Sequence, residues 1–121
     1  MKKVLIVDDS ATVRQQVGGA LRQAGFEVVE ASDGEMGAQT IESDSSIQLV
    51  VCDVNMPRMG GMQLLERVKS SGKFDALPIV MLTTESKPEL IQKAKSLGAK
   101  GWIIKPFKAD LLVKAVNQLT S

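Results

Sequence analysis

The sequence predicts an α/β protein built on a doubly wound, five-stranded parallel sheet. Apolar runs of strand length alternate along the chain with segments of helical period. Several of these runs are nearly continuous in apolar residues, which is typical of strands covered by helices on both faces. Five strand–helix units in 121 residues imply parallel strands joined by right-handed crossovers. In such open sheets, ligands bind beyond the carboxyl ends of the strands.

Five segments have the length and composition of strands, and the first, third and fourth are nearly continuous in apolar residues. The predicted strands cover residues 3–7, 27–31, 48–52, 78–83 and 102–104.

Helical spacing of apolar residues fills the intervals between the predicted strands. The apolar stripes are Val13, Val17, Leu21 and Ala24; Ala38 and Ile41 in a weaker helix over 34–43; Leu64 and Val68; Leu90, Ala94 and Leu97; and Leu112, Ala115, Val116 and Leu119.

Glycine and polar residues mark the ends of these helices. Gly25 and Gly98 stand where helices often terminate in glycine. Ser86, with Glu89 three residues later, predicts a capping box at the start of the fourth helix. The glycine pair at 18–19 opposes the first helix, because each mid-helix glycine costs about 1 kcal/mol relative to alanine. We expect close packing at that pair.

The composition is that of one soluble globular domain, and we expect residues 1–121 to form it without a second catalytic or DNA-binding domain. Hydrophobic residues make up 44% and charged residues 24%, with a net charge of +1. Signal-peptide and membrane-spanning patterns are missing, so we expect a cytoplasmic protein with neither membrane nor nucleic-acid partners. The single thiol, Cys52, is interpreted as a buried hydrophobe. The chain has no histidine, which excludes Ser-His and Cys-His nucleophiles and nearly all zinc sites.

Polar residues follow the predicted strands at one edge of the sheet. Each has a simple structural explanation by itself, such as a helix cap, a turn or a solvated strand end. Together they are harder to explain, because neighbouring carboxylates repel one another and shift their pKa values. The residues are Asp8 and Asp9 after strand one, Asp53 and Asn55 after strand three, Thr83 and Thr84 after strand four, and Lys105 after strand five. The second strand is followed by Ser32, Asp33 and Gly34, which we interpret as a turn and a helix cap.

This set of side chains favours a magnesium site that handles phosphate. Three carboxylates supply about −3, and Mg²⁺ with one lysine supplies about +3. A carboxylate beside the metal can attack phosphorus and become an aspartyl phosphate. The adjacent Asp8 and Asp9 suit metal coordination, so we assign the isolated Asp53 as acceptor, with the Asn55 carbonyl as a further ligand. We expect Asp53 to be exposed at its strand end, open to a phosphoryl donor.

Separated blocks in the expected order resemble the receiver domain of two-component response regulators, over the whole chain. They are "VLIVDDS", "VCDVNMPRMGG", "IVMLTTES" and "GWIIKPF". The resemblance implies a flavodoxin-like (βα)5 fold with strand order 2-1-3-4-5. It also implies a cis peptide bond between Lys105 and Pro106, which an X-Pro bond makes accessible.

The resemblance implies a role for each acidic residue. Asp8 and Asp9 help to bind Mg²⁺, and Asn55 gives its carbonyl to the metal. Asp53 is a metal ligand and accepts the phosphoryl group from a histidine kinase, whose imidazole this histidine-free chain must find on another protein.

The family's switch residues correspond to Thr83 and Lys105, which contact the phosphoryl group, and to an aromatic position. That position, commonly Tyr or Phe, is Trp102 here, and we expect its bulk to restrict the inward rotamer. Thr84 stands where the family commonly has Ala or Gly, and we expect it to crowd the phosphoryl site and slow exchange.

Within the family, the chain resembles the single-domain chemotaxis (CheY-like) type, in which the positions of Asn55 and Glu85 tune the phosphoryl lifetime. Nothing follows the fifth helix, so we expect the output to be binding, through the helix 4–strand 5–helix 5 face. We also expect a monomer. The expected partners are a histidine kinase, a downstream motor or adaptor component, and a phosphatase. Late lysines would lie around this face: Lys87, Lys93, Lys95, Lys100, Lys108 and Lys114.

Three hypotheses remain open on the sequence. The first is the phospho-accepting switch, which catalyses only its own phosphorylation and dephosphorylation. The second is a Mg²⁺-dependent phosphohydrolase with an aspartyl-phosphate intermediate, because "DVN" resembles the D-x-D of haloacid-dehalogenase-type enzymes; Asn55 stands where that pattern wants an acid. The third is a relay or docking receiver without flagellar output, against which the intact acidic set argues.

Overall fold

Strands and helices alternate without exception along the chain, as the sequence predicts. The computed structural model describes all 121 residues. The elements in chain order are β1 Lys3–Val7, α1 Ala11–Gln23, β2 Glu27–Ala31, α2 Gly34–Ser43, β3 Ile47–Cys52, α3 Gly61–Ser70, β4 Ile79–Thr83, α4 Pro88–Ser96, β5 Gly101–Ile104 and α5 Ala109–Thr120.

All neighbouring strands pair in parallel, in the order β2-β1-β3-β4-β5, which confirms the expected strand order. The last residue of β1, Val7, lies opposite Ala31 on one side and Cys52 on the other. Because parallel strands end at one edge, the residues that follow them become neighbours there.

Backbone hydrogen bonds carry this pairing one residue beyond the strands. The amide of Asp53 donates to the carbonyl of Val7 at 2.9 Å, and the amide of Asp8 donates to that of Ala31 at 3.1 Å. The amide of Lys105 donates to the carbonyl of Thr83 at 2.8 Å. The sheet itself therefore sets the backbone positions of the polar edge.

The core consists of two apolar layers, one on each face of the sheet, as expected for strands buried on both sides. Leu5 and Val7 point into the layer formed with α2, α3 and α4, whereas Val4 and Ile6 point into the layer formed with α1 and α5. Cys52 is fully buried in the first layer, which confirms its interpretation as a core residue.

The predicted element ends differ from the structure by one residue at three strands: β3 begins one residue earlier, β4 one later and β5 one earlier. The prediction of a capping box that begins at Ser86 is wrong. Helix α4 begins at Pro88 with Lys87 as its N-cap, and no side chain caps it. Proline has no amide hydrogen and a preset φ, which suits the first helical position.

Glycines behave as predicted at two helix ends and at one of two mid-helix positions. Gly25 and Gly98 have φ of 96° and 107° and follow the C-caps of α1 and α4. A Cβ at Gly18 would lie 3.1 Å from the Arg22 guanidinium and 3.6 Å from Val28, so packing is close there. Nothing in the structure explains Gly19, whose surroundings are open.

Every helix is too short or too polar to traverse a lipid bilayer.

The connection between α3 and β4 is tied down by one ammonium group. Lys69 Nζ donates to the carbonyls of Phe74 at 2.8 Å and Leu77 at 2.6 Å, with that of Asp75 at 3.4 Å. Burial lowers the pKa of Lys69 below its ordinary value, with Lys100 adding to the effect and Asp75 opposing it. This donor links residues 74–77 to α3, although the carbonyl of Phe74 also accepts the amide of Leu77 at 3.1 Å.

We predict that Lys69→Met reduces the free energy of unfolding by about 1.5–3 kcal/mol, the usual range for hydrogen bonds to a charged group. Urea denaturation at neutral pH measures it. The exposed Lys73→Met is the matched control and should change stability by less than about 0.5 kcal/mol. Equal effects of the two substitutions would contradict the role of Lys69.

Candidate metal centre

Three carboxylates meet at the carboxyl edge of the sheet. One oxygen from each of Asp8, Asp9 and Asp53 lies within 4.8 Å of the other two. Asp8 is 2% and Asp53 8% exposed, whereas Asp9 is open to solvent. The structure therefore brings together the acids that the sequence analysis placed in one cleft.

The expectation of an exposed Asp53 is wrong. Its amide is bonded to β1, its Oδ1 accepts the amide of Val54 at 2.7 Å, and Lys105 lies beside its Oδ2. Helix α3 also begins against its backbone, because a Cβ at Gly61 would stand only 2.0 Å from the Asp53 carbonyl oxygen. Asp53 is therefore a largely buried carboxylate at the end of β3.

Each buried acid gives one oxygen to the backbone and presents the other to a cation. Asp8 Oδ1 accepts the amide of Ser10 at 2.9 Å, just as Asp53 Oδ1 accepts that of Val54. Lys105 Nζ lies 3.0 Å from Asp8 Oδ2 and 3.5 Å from Asp53 Oδ2. Lys105 therefore bridges the two buried carboxylates, at the place predicted for it.

One ammonium does not balance three carboxylates. Burial is the main cause that raises the pKa of Asp8 above its ordinary value. The Ser10 amide and Lys105 oppose this rise, and the Asp53 charge adds to it. The cluster is therefore under electrostatic strain that a further cation would relieve.

The donor set fits Mg²⁺. Carboxylate oxygens are hard ligands, and oxygens on opposite sides of an octahedral Mg²⁺ shell are roughly 4.2 Å apart. One pair of acid oxygens can span such a distance, whereas the other pairs would have to approach to roughly 3 Å, the separation of adjacent ligands. The exposure of Asp9 leaves room for the water that Mg²⁺ keeps.

The two threonines after β4 have different surroundings. Thr83 is fully buried, and its Oγ1 accepts the amide of Glu85 at 3.2 Å. Thr84 is exposed and lines a groove of about 610 Å³ together with Lys105 and Phe107. The cis peptide bond expected between Lys105 and Pro106 is present.

Glu85 connects two of the remaining predicted site residues. Asn55 Nδ2 donates to its side chain at 3.2 Å, and the indole Nε1 of Trp102 donates to its carbonyl at 2.9 Å. Trp102 is partly buried against the first core layer. This hydrogen bond holds the indole toward the connection between β4 and α4.

Sequence reasoning missed Arg14. Its Nη1 donates to the carbonyl of Asp8 at 2.6 Å while its Nε pairs with Glu30 of β2 at 3.0 Å. Arg14 thereby fixes the backbone beside the acids. Its position one turn after the Ser10 cap was the only available signal, and the partners come from another strand and from a main-chain carbonyl.

The family model for the response regulator receiver domain matches residues 4–117. The chain belongs to this family. A receiver domain is a phosphoacceptor signalling domain rather than an enzyme, which decides against the phosphohydrolase hypothesis. The acidic cluster is the type of site at which receiver domains bind magnesium.

Single-domain chemotaxis receivers are among the relatives. The chain is 37% identical to chemotaxis protein CheY1 of Helicobacter pylori over 112 residues, 91% of this chain and 90% of the relative. It is 36% identical to CheY-3 of Vibrio cholerae over 117 residues, 97% and 90% of the two chains. The solved structure of Vibrio cholerae CheY4 matches with a TM-score of 0.90 and 39% identity, covering 98% of both chains.

We predict that Asp8→Asn stabilises the metal-free receiver domain at pH 7, since a pKa raised mainly by burial means that ionisation of Asp8 is unfavourable in the native state. Because the folded pKa of Asp8 lies above the unfolded one, the wild type regains this stability as the pH falls through the folded value. The gap between the two proteins should therefore narrow at pH 4, in urea denaturation with a chelator.

Asp110→Asn is the control, at an exposed carboxylate in the first turn of α5. It should lower the free energy of unfolding by about 0.3–1 kcal/mol, because a negative charge near a helix N-terminus is stabilising. A less stable Asp8→Asn protein in chelator at pH 7 would contradict the strain attributed to the cluster.

Proposed function

We propose that this receiver domain is a phospho-accepting switch of a two-component or chemotaxis system, acting in the cytoplasm as a monomer. A histidine kinase donates the phosphoryl group, and Asp53 accepts it with Mg²⁺ held by Asp8, Asp9, Asp53 and the carbonyl of Asn55. The observation that carries this proposal is the position of Asp53, between a backbone amide on one oxygen and Lys105 on the other.

The two oxygens of Asp53 have different tasks in this proposal. Oδ1 is occupied by the Val54 amide, so Oδ2 attacks phosphorus. The new O–P bond forms as the P–N bond of the donor's phosphohistidine breaks, and the electron pair returns to the donor imidazole. Lys105 Nζ, 3.5 Å from Oδ2, is placed to stabilise the negative charge of the phosphoryl oxygens. When bound, Mg²⁺ would neutralise part of the same charge.

The donor needs a route to a carboxylate that is 8% exposed. The groove lined by Val13, Gln16, Thr84, Lys105 and Phe107 opens beside Lys105, and we propose it as this route. Thr84 is exposed and lines this groove, which supports a slowing of exchange by that side chain. Asn55 and Glu85, joined by their hydrogen bond, are the other residues proposed to tune the phosphoryl lifetime.

Phosphorylation changes the local charge and thereby the output. An aspartyl phosphate adds roughly one negative charge to the acceptor. Thr83 and Lys105 are proposed to respond to this charge. The Thr83 hydroxyl already accepts the backbone amide of Glu85, and the backbone carbonyl of Glu85 accepts the indole N–H of Trp102. This path leads from the acceptor to β5.

The proposed output surface is formed by α4, β5 and α5. It combines exposed apolar side chains, Ile104 at 42% and Leu111 at 58%, with exposed lysines. We propose that a downstream motor or adaptor component binds here, that its affinity differs between the two states of the domain, and that a phosphatase ends the signal. The lysines are Lys87, Lys93, Lys95, Lys100, Lys108 and Lys114.

We predict that acetyl phosphate with Mg²⁺ labels the protein, and that Asp53→Asn abolishes the label. The label should resist acid and be released by hydroxylamine, as an acyl phosphate is. The exposed Asp75→Asn is the control and should label as the wild type does. Label that survives in Asp53→Asn would move the acceptor elsewhere, and a wild type without label would favour a docking receiver.

We predict that phosphorylation changes the fluorescence of Trp102, the only tryptophan, because its indole bonds the carbonyl of Glu85. Thr83→Ala should still accept the label but show a smaller fluorescence change, because the bond to the Glu85 amide is lost. Trp102→Phe serves as the dark control. An unchanged emission spectrum in fully labelled wild type would contradict the proposed path.

A further inference from the structure

The connection between β3 and α3 carries Asn55 and is fastened at its far end to the start of α2. The amide of Gly34 donates to the carbonyl of Met59 at 3.1 Å. The approach is so close that a Cβ at Gly34 would stand 2.1 Å from the Met59 oxygen. Only glycine fits there, which gives the third residue of the "SDG" turn a purpose beyond the turn itself.

The buried Asp33 does more than cap α2. Its Oδ1 accepts the amide of Met36 at 2.8 Å, which confirms the cap. Its Oδ2 pairs with Arg58 Nε at 3.1 Å. Asp33 is 3% exposed, so its charge requires a partner, and Arg58 is the cation paired with it. Capping α2 requires only one oxygen of Asp33, so the cap does not explain the ion pair that the other oxygen makes with Arg58.

Arg58 holds an unfavourable backbone conformation. Its φ of 65° makes it the only non-glycine residue in the left-handed region. Its side chain is 76% exposed, so packing does not impose this conformation. The amide of Met59 donates to the carbonyl of Pro57 at 2.7 Å and closes a tight turn around Arg58. The ion pair with Asp33 and the adjacent Gly34–Met59 hydrogen bond tie this turn to the start of α2.

The near end of the same connection is also fixed. The amide of Gly61 donates to the carbonyl of Val54 at 2.9 Å, and Gly61 contacts the Asp53 carbonyl too closely for any Cβ. Asn55 lies between this end and the Asp33–Arg58 pair. The contacts that hold the two ends therefore also restrict the backbone conformation at Asn55, whose carbonyl lies between them.

We propose that Asp33 and Arg58 are positioning residues for the phosphoryl-transfer site, and that their ion pair holds the β3–α3 connection in the conformation that presents Asn55 to the acidic cluster. The proposal rests on the role assigned to Asn55 in the proposed function. Neither residue touches the reacting atoms. Their effect passes through the backbone of residues 55–59.

Two single variants and their combination test it. Asp33→Asn keeps an acceptor for the Met36 amide and removes the charge, whereas Arg58→Gly removes the guanidinium and tolerates the positive φ. Amide hydrogen exchange of Gly34 and Gly61 is measured by NMR in metal-free protein, and Mg²⁺ affinity by titration of the amide resonances. Exchange should be faster, and Mg²⁺ affinity about 10-fold weaker, as for other supports of metal ligands. The double variant should bind Mg²⁺ no more weakly than the single variant with the lower Mg²⁺ affinity, because the same ion pair is lost in all three proteins.

Asp44→Asn is the matched control, since Asp44 adjoins the other end of α2 and pairs with Lys3 at 2.9 Å, at the opposite edge of the sheet. It should leave Mg²⁺ affinity and both exchange rates unchanged even where it lowers the melting temperature. Mg²⁺ affinity within about twofold of wild type in both single variants would overturn the proposal. A wild type that binds Mg²⁺ but takes no label would instead overturn the proposed function, and the Mg²⁺ affinities would still decide this inference.

Discussion

The burial of two carboxylates at one edge of the sheet, with a single ammonium beside them, is the constraint on which the rest of the structure depends. Parallel alignment brings Asp8, Asp9 and Asp53 to one edge, and two of the three are buried there. An arrangement that costs stability persists only where the surroundings over-determine it. Here the surroundings are the two apolar layers, the strand pairing on both sides of β1, and the contacts of Arg14 and Lys105 with the acids and their backbone.

The two oxygens of each buried carboxylate have different partners. One oxygen is bonded to a main-chain amide, so the group cannot rotate away, and the other faces Lys105. Farther out, Glu85 receives hydrogen bonds from Asn55 and Trp102, which come from different connections at the same edge. Both oxygens of Asp53 are therefore held by contacts, while the residues around Glu85 are more exposed.

Most of the fold was predictable because its signals are local. Apolar runs, helical spacing and glycine at helix ends depend on near neighbours, and the element bounds agree with the structure within one residue at the strands. The meeting of the acids was predictable because parallel topology places strand ends together. The burial of Asp53 and the partners of Arg14 and Arg58 were not, because these features depend on contacts between distant parts of the chain. The start of α4 was missed for a local reason, because Ser86 and Glu89 match a capping box while Pro88 sets the first helical position. Asp33 illustrates the difference. Its role as the N-cap of α2 could be predicted from the sequence, whereas its ion pair with Arg58 could not.

The backbone amides of Asp8, Asp53 and Lys105 continue the hydrogen-bond ladders of the sheet by one residue. These bonds involve no side-chain atoms, so the frame that spaces the three positions does not depend on which amino acids occupy them. The reactive groups can therefore be exchanged one at a time while their separation is kept. Such a scaffold allows its chemistry to diverge, or to be redesigned, without a new fold.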